Sequence, residues 1–273
     1  HSTSSAASDV YKRQNYGCVP SKSLISSAKL VHQLNQHDRF GLKEIQYQVD
    51  FPLVMDRIQE IIEAITPHDS VERYTSLGVE CIEGSAKLVS PHELEVNGSL
   101  LSTKNIVIAT GASPAIPPIP GLEDSAYSTS DSIWKLRELP KKLLVIGGGY
   151  IGLELGTVYA HLGSKVSVVE LADGLLMGAD RDLVRPLEKR LKGLFEERIF
   201  LNTKVGSVGQ RGDKVEVAFE GPSKYGTEKY DRVLVSVGRR PRTFDMGLEN
   251  TQVKLDGRGF VLHDAQQKTD DPH

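Results

Sequence analysis

The sequence predicts an α/β fold, and three features carry that prediction. From Lys141 onward, apolar runs and amphipathic stretches alternate: strand at 143–146, helix at 150–162, strand at 165–170, helix at 180–195, strand at 199–201. That order implies parallel strands joined by crossover helices. Four glycines, Gly147, Gly148, Gly149 and Gly152, punctuate the first strand-to-helix join. Finally, residues 114–121 (PAIPPIPG) hold four prolines, which exclude a helix or central strand and mark a stiff boundary between two domains.

The elements follow in order. From Pro20 to about Gln36, Leu24, Ala28, Val31 and Leu34 recur at helical spacing, so one face is buried. Residues 51–77 repeat the pattern with Val54, Ile58, Ile61, Ile62 and Ile65; Pro67 divides the helix and Gly78 stops it. Val79 to Glu83 alternates apolar and charged residues and reads as a strand that buries Cys81. Residues 84–89, 93–96 and 100–101 form a meander with Asn97-Gly98 as a hairpin turn. Asn105 to Ala109 is continuously apolar, as in a strand buried on both faces. Residues 214–219 and 230–237 are further strands.

Composition narrows the function. The chain has 273 residues, 39% apolar and 25% charged, a globular balance that excludes disorder. A net charge of −3 and no basic stripe argue against a nucleic-acid partner. No apolar run is long enough to span a bilayer, so no membrane partner is expected. Two cysteines, Cys18 and Cys81, make no disulfide scaffold and fit a reducing cytoplasm. No metal site is expected. Residues 1–14 are Ser-rich without periodicity and lack a secretory core; they read as a non-native lead-in. Both ends read as those of a fragment.

The strongest chemical signal is the segment LLVIGGGYIG, where Gly147 to Gly152 link an apolar strand to a helix. Gly147 permits a tight turn, Gly149 lets backbone approach a pyrophosphate, and Gly152 lets helix and strand pack closely. Gly148, Tyr150 and Ile151 complete the turn, whose helix end attracts phosphates. The next strand ends in Glu170, about 20 residues on, where a carboxylate can accept both ribose hydroxyls and repel a 2′-phosphate. NAD is therefore expected over NADP. Without a ligand the same segment would be only a glycine-rich turn.

The second segment is NYGCVPSKSL. A lone cysteine is usually a small hydrophobe. Here Cys18 opens a helix, where the macrodipole favours a thiolate, and Lys22 lies one turn on along the same face.

Together with ATGASPAIPPIPG, GGGYIGLELG and VGRRP at 237–241, in that order, this segment resembles the pyridine nucleotide–disulfide oxidoreductases. The resemblance covers residues 15–273 and is greatest to dihydrolipoyl dehydrogenases, through VVELADGLLMGADRD and LNTKV. NYGC and PHDSVERY are also similar to mercuric reductases. The resemblance implies two Rossmann-like dinucleotide-binding domains: an incomplete FAD domain (15–120), an inserted, complete NAD domain (121–240), and a truncated return segment (241–273). It implies a redox pair C-x-x-x-x-C in which Cys18 is the second, flavin-facing sulfur. The first would fall at Arg13, a departure that removes one of the two sulfurs a redox disulfide needs. Lys22 and Glu154 match an ion pair beside the flavin. Ala86 matches a contact to the adenosine part of FAD, and Thr110, Gly111 and Ala112 match a flavin-contacting turn. Val205 and Gly238 match positions lining the NAD site. Each of these is otherwise an ordinary turn or packing residue.

The implied activity is FAD-dependent electron transfer between a dithiol, dihydrolipoamide or a lipoyl domain, and NAD, in a homodimer serving cell redox homeostasis. The chain as it stands is expected to be inactive. None of the eight histidines matches the family's catalytic histidine. The alternatives are a mercuric-reductase-like or other NAD(P)H-dependent disulfide reductase, and a non-catalytic NAD-binding module, which Arg13 favours.

Overall fold

The computed structural model describes residues 3–4, 17–222 and 226–273. Arg13, Asn15, Tyr16 and most of the expected lead-in lie outside these. The chain forms two compact units, one of 1–14, 63–113 and 239–273, the other of 15–62 and 114–238. One division between them falls at 113/114, where the proline-rich stretch begins. The first two helices fall in the same unit as the central segment.

In that second unit, α1 (Cys18–Leu34) and α2 (Phe51–Ile65) turn Leu24, Ala28, Phe51, Met55, Ile58 and Ile62 into a shared core. The five-stranded parallel sheet has the order β10 (Ile199–Phe200), β9 (Lys165–Val169), β8 (Lys142–Ile146), β14 (Arg232–Val235), β7 (Tyr127–Thr129). Helices α4 (Tyr150–Leu162) and α5 (Arg181–Leu194) follow β8 and β9. The two-residue period sorts the apolar strands onto two faces. Leu143 and Val145 of β8 join the helical core, whereas Leu144 and Ile146 join a second core.

That second core is closed by an antiparallel sheet, β11 (Lys204–Arg211), β12 (Lys214–Glu220) and β13 (Thr227–Tyr230). Sequence reading placed one strand there, at 214–219, and its next strand, at 230–237, covers β14 but only the last residue of β13. Asp231 separates them: its N–H donates to Lys142 O at 2.9 Å, and its carboxylate accepts from Lys142 N at 2.6 Å and from the Lys214 ammonium. The chain therefore turns from antiparallel to parallel pairing at that residue.

Two groups on the helices of this unit give testable consequences. Tyr159 is fully buried, and its hydroxyl has no partner among the described residues. Burial pushes its phenol pKa up. A buried hydroxyl without a partner costs about 1–3 kcal/mol, so Tyr159→Phe is expected to raise the melting temperature; a lower one would show that the hydroxyl is bonded. His32 of α1 stacks on His161 of α4 with ring centroids 4.2 Å apart. His32 Nε2 also lies 2.9 Å from Gln36 Nε2 and 3.3 Å from Arg190 Nη2 of α5.

Burial, then the nearby His32 and Arg190 charges, hold the His161 pKa down to about 4. The unfolded imidazole titrates near 6.5, so between those values the unfolded chain takes up the proton and the folded one does not. The stability this site provides is complete above about pH 6.5 and falls towards pH 4. Allowing for solvent screening, the loss is about 1 kcal/mol. Melting curves at pH 7.5 and 5 are expected to converge for His161→Gln relative to the parent chain; equal pH slopes would refute the assignment.

The first unit holds the short helix α3 (Val71–Ser76) and the meander β2 (Ala86–Ser90), β3 (Glu93–Val96) and β4 (Ser99–Ser102). Pro67 lies in a 3-10 turn that separates α2 from α3, as expected. Asn97 and Gly98 have φ of +53° and +77°, the two left-handed residues of a tight hairpin.

Two expectations fail. Residues 79–83 form no strand, and Cys81 is half-buried rather than core, because their alternation finds no partner strand among the described residues. The 105–109 stretch contributes only β5 (Ile106–Val107), paired with β1 (Thr3–Ser4), and Val107 is 59% exposed. A strand is buried on both faces only where other layers cover it.

Candidate functional site: a glycine turn and an ion pair

β8 is flanked by β9 on one side and β14 on the other, so the strand order reverses there. The carboxyl ends of strands at such a point form a ligand crevice. The turn that fills it explains its glycines one by one. Gly147 has φ +107°, and a Cβ there would stand 2.5 Å from Ser236 O. At Gly152 a Cβ would fall 2.3 Å from Gly147 O. At Gly149 it would meet nothing within 4 Å among the described residues. Gly149 caps α4 and, as a glycine, offers no side-chain acceptor to the first-turn N–H groups. An open glycine at an uncapped helix end fits a pyrophosphate. At Gly148, for which the sequence reading had no separate role, a Cβ would lie 2.6 Å from Leu175 Cδ2, so that buried side chain would have to shift. Tyr150 is exposed and Ile151 half-buried beside it.

Glu170 follows β9 and is half-buried. Its Oε2 accepts from Gly148 N at 2.6 Å and its Oε1 from Ala172 N at 2.8 Å. The carboxylate is thus turned onto the glycine turn, and each oxygen keeps a further lone pair for a hydroxyl. Ser236, just past β14, was not singled out in the sequence; its Oγ lies 3.0 Å from Ile146 O and 3.3 Å from Gly147 O, tying the turn to the next strand. Only its place at the end of an apolar strand could have signalled it. Gly238 has φ +120°, and its carbonyl accepts from Ala115 N at 2.9 Å. Val205 is buried between the two sheets, so only its main chain could line a ligand.

The same unit brings Lys22 of α1 to Glu154 of α4, with Nζ 3.0 Å from both carboxylate oxygens. Both side chains are solvent-accessible, at 63% and 36%. Cys18 is the first residue of α1, exposed and free. In the other unit, Ala86 opens β2 opposite Val96. Thr110 and Gly111, the latter with φ +68°, lead into the short strand β6 (Ala112–Pro114). Arg242 N donates to Gly111 O at 3.0 Å, the Arg239 guanidinium to Ala112 O, and Arg242 Nε to Ser113 Oγ at 2.8 Å. A left-handed glycine between small residues fits close approach of a ligand to backbone. Among the described residues no cluster could hold a metal ion, and no helix is long and apolar enough to cross a membrane.

The model of the pyridine nucleotide-disulphide oxidoreductase family matches residues 9–273. The chain belongs to that family. It is 34% identical over 265 residues to dihydrolipoyl dehydrogenase of Vibrio cholerae, covering 95% of this chain and 55% of that protein. It is likewise 34% identical over 252 residues to mercuric reductase of Lysinibacillus sphaericus, covering 91% and 45%. Among solved structures it is similar to the HOCl-induced flavoprotein disulfide reductase RclA from Escherichia coli, with a TM-score of 0.78 and 29% identity over 95% of this chain and 55% of that one. The chain thus spans about half the length of the curated relatives it matches.

Proposed function

We propose that the chain carries the nicotinamide-dinucleotide site of an FAD-dependent disulfide oxidoreductase of the dihydrolipoyl dehydrogenase type. The observation that carries this reading is the Glu170 carboxylate, held by Gly148 N–H at the mouth of an open, uncapped glycine turn. The turn binds the pyrophosphate and Glu170 the adenosine ribose; its charge disfavours a 2′-phosphate. Within the full protein the reaction is dithiol plus NAD⁺ giving disulfide, NADH and a proton. FAD, when bound, supplies the two-electron relay between sulfur and nicotinamide. Thr110, Gly111, Ala112 and Ala86 would contact it.

Cys18 supplies the sulfur that faces the flavin. The Lys22–Glu154 pair sits one turn further along α1. An exposed ion pair adds only about 0.2–1 kcal/mol to stability, so its role here is to place a charge rather than to hold the fold. The homodimer, the lipoyl-type dithiol and the cytoplasmic setting belong to the same reading. So do the domain limits of 15–120 for the partial flavin domain and 121–240 for the NAD domain.

A titration of the chain with NADH and NADPH, followed by nicotinamide emission, tests the reading. NADH is expected to bind at least about tenfold more tightly, since an unpaired charge clash costs more than one factor of ten. Equal affinity, or none, would overturn it. With Arg13 at the position of the first redox cysteine, no dihydrolipoamide-dependent NADH production is expected from this chain. The mercuric reductase relatives support a second reading, in which mercuric ion consumes the electrons. Mercury-dependent oxidation of NADPH by the full protein would select it. A colourless full protein that does not take up FAD would select a non-catalytic NAD-binding module.

A further inference from the structure

The loop from Leu171 to Asp180 joins β9 to α5 and lies against the glycine turn. Leu176 N donates to Gly148 O at 2.9 Å, and the buried Leu175 side chain fills the space a Gly148 Cβ would take. The Gly148 peptide region is therefore held from two sides, its N–H by Glu170 and its carbonyl by the loop. Leu176 does this with φ +50°, a left-handed backbone that leucine adopts only where its surroundings impose it.

The surroundings that impose it converge on one side chain. Arg181 Nη2 donates to Leu175 O at 2.7 Å and Leu176 O at 3.2 Å, and its Nε to Ala179 O at 3.4 Å. Glu188 Oε1 stands 3.9 Å from Arg181 Nη1 and accepts from Leu175 N at 3.4 Å. The guanidinium also occupies the space beside Gly174, where a Cβ would fall 2.8 Å from Nη1. A planar fork serves three carbonyls at once; a lysine ammonium has no such geometry.

We propose that Arg181 is a positioning residue for the dinucleotide: it clamps the 174–179 loop so that Leu176 holds the Gly148 carbonyl and keeps the Gly148 N–H aimed at Glu170. The inference rests on the dinucleotide reading of the turn. Without the clamp the loop relaxes, the Gly148 peptide rotates, and both the phosphate turn and the ribose carboxylate lose their alignment.

The test uses the whole 273-residue chain with NADH and with ADP-ribose. Arg181→Ala and Arg181→Lys are each expected to weaken both ligands about tenfold, the loss typical of removing charge-assisted hydrogen bonds. Guanidinium chloride at non-denaturing concentration is expected to restore NADH emission in Arg181→Ala, a rescue that a purely structural defect would not show. Arg181→Lys carries the test if the alanine variant does not fold. Wild-type affinity in either folded variant, or absence of rescue in a folded Arg181→Ala, overturns the proposal. A parent chain that binds neither ligand overturns the dinucleotide reading itself, so the two failures are distinguishable.

Discussion

Gly149→Val is expected to abolish NADH binding while lowering the melting temperature by no more than about 3 °C, the small cost of a poorer helix cap. The reason is spatial. Among the described residues a Cβ at Gly149 meets nothing within 4 Å, so a larger side chain costs the fold little while it fills the space the proposed pyrophosphate needs. The matched control is Gly152→Val. There the first added carbon would stand 2.3 Å from the Gly147 carbonyl and 2.9 Å from Val145 Cγ1, atoms of the turn and the buried strand. Overpacking of that kind costs about 3 kcal/mol, so this variant is expected to melt well below the parent. Thermal melts and NADH titrations on both variants separate the two roles. If Gly149→Val binds NADH like the parent, no pyrophosphate lies on this turn.

Glu170→Ala has the second largest expected effect and acts on two quantities. It leaves the Gly148 and Ala172 N–H groups without their acceptor, which costs about 1–3 kcal/mol of stability. It also removes the ribose acceptor, so NADH affinity is expected to fall about 30-fold, the scale of a lost charged hydrogen bond. NADPH affinity is expected to change far less, because the same substitution removes the charge that opposes a 2′-phosphate. The diagnostic quantity is the ratio of the two affinities. An unchanged NADH-to-NADPH ratio in a folded variant would place the ribose elsewhere.

Much of this site was legible from sequence because its determinants are local. The strand–turn–helix around Gly147 follows from an apolar run, glycines at fixed offsets and a helical period, all within about one turn of chain. The boundaries of α4 agree with the expected residues, since Gly163 stops the helix in a left-handed conformation. Less legible was the antiparallel sheet. Gly206 and Gly209 interrupt the strand signal of β11, and its pairing depends on residues far along the chain. The alternating stretch at 79–83 misled for the converse reason: periodicity reports that a strand could be buried, not that a partner exists.

By itself, the sequence determined the glycine turn, the acid that follows it and the parallel pairing of the central strands; family resemblance implied the pairing of Lys22 with Glu154. Only the tertiary structure decided that Glu170 turns its carboxylate onto Gly148, that Ser236 ties the turn to β14, and that Arg181 holds the adjoining loop. The division has a physical cause. Turns and helices are specified by neighbours along the chain, whereas these hydrogen bonds link side chains to irregular backbone whose course the packing of distant elements sets.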